Sequence, residues 1–192
     1  SYGNDATGES TRQINEYNLS IPFDISTRVY AGDIERCVLD ETLIENSLLG
    51  IFDLEFSSDG MKLFTVQGAN DDNSSGERID IVFRFDLTSP FDISTCSFAQ
   101  ETADIETAAL QNGSNAGDVT FGRRENRLQG LEINDDGTKL FLIFHGYSST
   151  LAPNTRLLEY QLSTPYDLTT ISLVTTAGIE LEGETANPYS IR

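Results

Sequence analysis

Apolar and polar positions alternate along several short runs of this chain, and glycine or proline punctuates the gaps between them. Residues 79–87 place Ile79, Ile81, Phe83 and Phe85 on one face, the period-two pattern of a strand with one buried side. Leu158, Tyr160 and Leu162 repeat it further along. Asp59-Gly60 and Asp136-Gly137 each sit between apolar runs, and Asp-Gly suits a tight hairpin because glycine accepts positive φ. The pairs predict strands near 51–56 and 61–67, and near 129–134 and 138–144. After 79–87, Pro90 ends pairing by removing an amide donor, Phe91 and Ile93 fold back onto the core, and Asp92 caps a turn with its side chain. Residues 96–100 and 171–175 then read as a fourth, outer strand. Helical periodicity is confined to 35–49 and 105–110.

The same elements recur in order, which is a stronger signal than any one of them. EYNLSIPFDIST at 16–27, RFDLTSPFDIST at 84–95 and EYQLSTPYDLTT at 159–170 are copies of one segment, spaced by 68 and 75 residues. GIFDLEFSSDGMKLF at 50–64 and GLEINDDGTKLF at 130–141 are copies of a second, the latter shorter before its Asp-Gly. Each repeat thus carries four antiparallel strands.

Four-stranded repeats in tandem are how β-propeller blades are built. The paired motifs resemble the "FSSDGTKLF … YDLSTPFDIST" repeats of bacterial and phage surface proteins, over nearly the whole chain. The resemblance implies an all-β, β-propeller-like fold and says little about function. On this reading 1–47 holds the third and fourth strands of a partial blade with an inter-blade segment. Residues 48–127 form a full blade with its inter-blade segment, 128–186 a full blade, and 187–192 the start of another. Ser1-Tyr2-Gly3-Asn4-Asp5 resembles segments that follow second strands, at Val66 and Phe144, so the chain is expected to begin just after one. The result is a partial ring of about two full and two partial blades. Tyr189 and Ile191 are expected to pair with strands of a neighbouring copy or of the same parent.

Composition narrows the partners. With 12 Lys and Arg against 31 Asp and Glu, the formal net charge is −19, which repels nucleic acid and anionic lipid. No run of about 18 apolar residues suggests membrane insertion. The amino terminus has neither a starting Met nor a charged-then-apolar leader, so the chain is expected to be processed or partial. Cys37 and Cys96 lack the spacing and the histidines of a zinc site. One disulfide and two buried thiols both fit them.

Catalytic signatures are missing: His145 is the single histidine, and no nucleophile elbow, HExxH or phosphate loop accompanies it. The best candidate site is a calcium loop at 70–77. Asp71, Asn73, Ser75 and the glycine at 76 match its first half, but Val82 stands where the twelfth-position Glu belongs, so Glu77 or Asp80 would complete the ligands. The turns stay fixed between repeats, whereas the connections at 67–78, 146–156, 31–49 and 100–127 vary, as binding loops on a rigid sheet array do. The expectation is a non-catalytic extracellular or virion-surface module, such as part of a phage tail fibre, for adhesion, receptor binding or structural assembly. Its partners would be other blades, neighbouring copies, or a surface glycan or protein receptor. The alternatives are a secreted polysaccharide-degrading enzyme with its active site elsewhere, and an intracellular scaffold.

Overall fold

The structure is a computed structural model that describes residues 2–4, 10–39, 50–70, 78–102, 105, 126–146, 156–174 and 179–180. Its described elements are strands and single 3-10 turns, and every strand pair is antiparallel.

The middle repeat is the simplest unit. Strands β6 (Gly50–Phe56), β7 (Lys62–Asn70), β8 (Arg78–Asp86) and β9 (Ser97–Glu101) form one sheet in chain order. The third repeat follows the same path with β10 (Asn126–Ile133), β11 (Lys139–Gly146), β12 (Arg156–Leu162) and β13 (Ile171–Leu173), while β14 (Ile179–Glu180) pairs with the other end of β12. The first repeat has β1 (Tyr2–Asn4) against β2 (Ser10–Asn15), β5 (Arg36–Leu39) on the other side of β2, and β3 (Tyr17–Leu19) against β4 (Arg28–Tyr30).

These pairings correct several expectations. Tyr2–Asn4, expected to follow a strand, is itself strand and pairs with β2. Residues 36–39 are not helical: Cys37 and Leu39 are buried and Val38 is exposed, and pairing with β2 satisfies the backbone. Residues 40–49 and 106–110 lie outside the described residues, while Ile105 is buried. The fourth strand of the middle repeat is one element, β9, and the first repeat has β4 and β5 in its place; in the third, residues 175–178 between β13 and β14 lie outside the described residues. Finally, β6 and β10 slip register at Ile51/Asp53 and at Leu128/Gly130. Those positions lie equally far before Gly60 and Gly137, so Asp53 corresponds to Gly130 and the first strands do not differ in length there.

Each Asp-Gly turn spans several residues, with left-handed backbone at glycine alone (φ +69° at Gly60 and Gly137). The preceding Asp holds the turn: Asp59 accepts from the Met61 amide at 3.0 Å and Asp136 from the Thr138 amide at 3.0 Å. In the Pro-Phe/Tyr-Asp turns Asp24, Asp92 and Asp167 cap the 3-10 turns by accepting from Ser26, Ser94 and Thr169. Hydrogen bonds from nearby Ser and Thr hydroxyls, then from backbone amides, hold the pKa values of Asp24, Asp59, Asp136 and Asp167 below the ordinary 3.8. Because the folded state holds the deprotonated form, their contribution is present above pH 4 and is lost as pH falls through the lowered values. Urea midpoints should therefore drop steeply from pH 4 downward, and Asp136→Asn should flatten that decline.

Candidate functional site

Each face of the middle sheet carries a buried apolar cluster, and the two junctions differ. On one face Phe64, Val66 and Val82 join Leu131, Leu140, Leu142, Leu158, Tyr160 and other residues of the third repeat in one apolar cluster. On the other face Leu63, Phe83, Phe85, Leu87 and Ile93 meet Cys37 and Leu39 of the first repeat, with Ile14 packed against them. A disulfide joins Cys37 to Cys96 (Cα–Cα 5.7 Å), linking the first repeat to the second. By the spacing of the repeats these cysteines stand where the other junction has Ile105 and Ile171, both in its apolar cluster.

Polar side chains of the middle repeat grip the backbone of the third. The Leu131 amide donates to Asp53 Oδ2 at 3.1 Å, and the Leu128 amide to Asp80 Oδ1 at 3.4 Å. Arg84, in an ion pair with Asp86 (Nε–Oδ1 3.0 Å), donates to the Tyr166 carbonyl at 2.7 Å. Gln100 donates to Asp167 and accepts from the Leu168 amide, both at 3.0 Å. Buried amides bonded in this way avoid a desolvation cost of about 1–3 kcal/mol each. Asp80 is thus buried at a junction, where no metal is needed to explain it. The other candidate calcium ligands, Asp71, Asn73, Ser75 and Glu77, lie outside the described residues.

Tyr160 lies in the same junction. Among the described residues its buried hydroxyl has no hydrogen-bond partner, and burial, then the charge of Asp80, pushes its pKa up from the ordinary 10.0. The unfolded chain would ionise first, so stability is intact below pH 10 and declines as pH rises beyond it. The middle repeat has Phe85 at the matching place. Tyr160→Phe should gain about 1 kcal/mol by removing an unsatisfied group, and should blunt the alkaline decline in a thermal melt.

At the first junction a groove of about 450 Å³ opens between Gln13, Ile14, Asn15 and Tyr17 on one wall and residues 51–54 on the other. Its lining includes the amide residues Gln13 and Asn15 and the aromatic residues Tyr17 and Phe52. Close by, carboxylate oxygens of Glu16, Glu35 and Asp92 fall within 4.8 Å of one another, a geometry that could hold a cation. Sequence reading missed both, because each is built from residues of two repeats that no linear motif joins. The side chain of His145 is not among the described ones, while its backbone pairs in β11 opposite Arg127. No helix among the described residues is long and apolar enough to cross a membrane. Comparison with protein-family models, with curated proteins and with solved structures returns no match to this chain.

Proposed function

We propose that the chain is a stretch of β-propeller blades of the bacterial and phage surface-repeat type, working as a non-catalytic module on a cell exterior or virion surface. Its roles would be adhesion, receptor binding or structural assembly. The observation that carries this reading is the junction between the second and third repeats, where the polar side chains of one sheet bond the backbone of the next. Such a joint can be propagated from unit to unit, which suits an array more than a single active site.

Two further features support an exterior setting. A disulfide between repeats fits an oxidising compartment, and a net charge of −19 favours solubility over contact with nucleic acid or anionic lipid. Asp80, which is buried, and Arg84, which is partly buried, serve the junction, and the groove is lined by amide and aromatic groups suited to binding. Calcium held by the 70–77 loop belongs to the same proposal, checked by comparing melting temperatures with calcium and with chelator.

The test is to incubate the full chain with end-labelled polysaccharides and receptor-bearing cells, and to follow its sedimentation at micromolar concentration. Retention on a surface or self-association without glycan shortening is the expected result. Shortened glycan products would overturn the non-catalytic reading, and a soluble monomer that binds neither surface would overturn the module reading.

A further inference from the structure

The groove at the first junction and the exposed aromatic surface of the first repeat are two halves of one footprint, and the other repeats show what fills it. In the second repeat the Phe91 ring lies over the Asp-Gly turn: its atoms come within 2.5 Å of where a Cβ on Gly60 would stand, and the Phe91 amide donates to the Gly60 carbonyl at 2.8 Å. In the third, Tyr166 covers Gly137 in the same way, again with a 2.8 Å bond. Both aromatics hold a left-handed backbone, φ 60° and 61°, that a residue with a side chain adopts at a cost. Phe23 holds the same conformation, φ 64°, yet it is 99% exposed. Among the described residues no Asp-Gly turn lies under it.

The groove tells the same story from the opposite wall. Leu131 and Gln129 of the third repeat are 1% and 8% exposed, whereas Leu54 and Phe52, at the matching positions of the second, are 36% and 39% exposed. Leu131 is covered because β10 packs across β6 and β7. The apolar cluster there includes Phe64 and Val66 from a second strand, and the first junction has no counterpart to them among the described residues. Among the described residues β3 pairs with β4 alone, so the edge that β7 occupies in the second repeat has no partner strand there.

We infer that this footprint is a docking site for one kind of partner, a two-stranded β-hairpin with an Asp-Gly turn like that of β6 and β7. The occupant would seat its turn glycine under Phe23, add its second strand to β3 and fill the groove with two apolar side chains beside Ile14. An aspartate seven residues before that glycine, where Asp53 stands relative to Gly60, would accept the Leu54 amide as Asp53 accepts that of Leu131. Leu54 N now donates to Asp53 Oδ1 at 2.9 Å, an arrangement the incoming aspartate would replace. The inference deepens the assembly reading above and names the chemistry that continues the array.

Register fixes the experiment. Gly3 pairs with Thr11 as Ala69 pairs with Ile79, so residues 50–66 fused directly before Ser1 would run in phase with β1. Hydroxyl-radical labelling of the fused and the unfused full-length chain reads the result. Labelling of Leu54 should fall nearly to that of Leu131, and that of Phe23 by a little under half, toward the 56% exposure of Phe91. Valine in place of the glycine of the added turn should restore Phe23. A second fusion, with 127–143 in the same place, guards against one hairpin that folds poorly, and circular dichroism checks that the rest of the chain keeps its sheet. Unchanged labelling of Leu54 and Phe23 in both fusions overturns the inference, even if the unfused chain binds surfaces or assembles. Protection of both residues in the unfused chain through self-association would overturn it too, because a second copy would then be the occupant.

Discussion

Replacing Cys37 and Cys96 together by Ala is expected to lower the unfolding free energy by about 4 kcal/mol, the chain-entropy value for a closed loop of this size. The bond spans 59 residues and so restricts a large portion of the unfolded chain. At this chain length the loss corresponds to roughly 10 °C in melting temperature. The local setting argues for the full effect. The second junction holds its sheets with Phe64 and Val66 and with four polar grips, while the first has the disulfide and a smaller apolar cluster beside an open groove. Calorimetry of the double variant and of the reduced parent separates the covalent term from the packing of two sulfur atoms. A melting temperature within a degree or two of the parent for both would show that the first repeat is held by its apolar contacts alone.

Gly60→Val and Gly137→Val should each cost about 3 kcal/mol, and the two costs have a common origin in the turn. Left-handed backbone is unfavourable for a β-branched residue, and the new Cβ would meet an aromatic ring at 2.5 Å. Phe91 and Tyr166 cannot simply swing away, because their own amides are tied to the glycine carbonyls. Gly137→Val should do the greater damage. Tyr166 also stacks on Phe64 at 6.3 Å between centroids, lies under the Lys62 ammonium at 5.3 Å and receives Arg84 on its carbonyl. Displacing it would loosen the second junction as well as the turn. Equal urea midpoints for the two variants would show that strain stays within the turn.

Those turns were the most legible stretches of the chain. Aspartate before glycine and aspartate after Pro-Phe report local backbone geometry, and local geometry is written in adjacent residues. The three copies at 16–27, 84–95 and 159–170 gave the third strand and the capped turn for the same reason. What lay between repeats was less readable. Residues 36–39 carry a short apolar pattern that suits helix or strand, and only pairing with β2 decides it. Gly50 and Gly130 invite alignment by identity, yet the register slips in β6 and β10 match Gly130 to Asp53, a residue that reaches across to Leu131. The groove, the acidic triad and the disulfide each combine two repeats. Their residues stand tens of positions apart, and nothing in either stretch announces its partner. Of the residues that the sequence singled out for calcium, Asp80 alone lies among the described ones, and that carboxylate serves the junction with the third repeat.

The placement of the disulfide also governs how tension would travel through the molecule. A load applied at the two ends of the chain passes from Cys37 to Cys96 through the sulfur bridge, and the residues between them carry none of it. At about 3.5 Å per extended residue, the 59-residue span keeps roughly 200 Å of chain from paying out until the bridge is reduced. The second junction has no such tether among the described residues, and its hydrogen bonds and apolar contacts would break in succession. Under force the molecule is thus a short stiff link joined to an extensible one, with the redox state of its surroundings setting how far it can stretch.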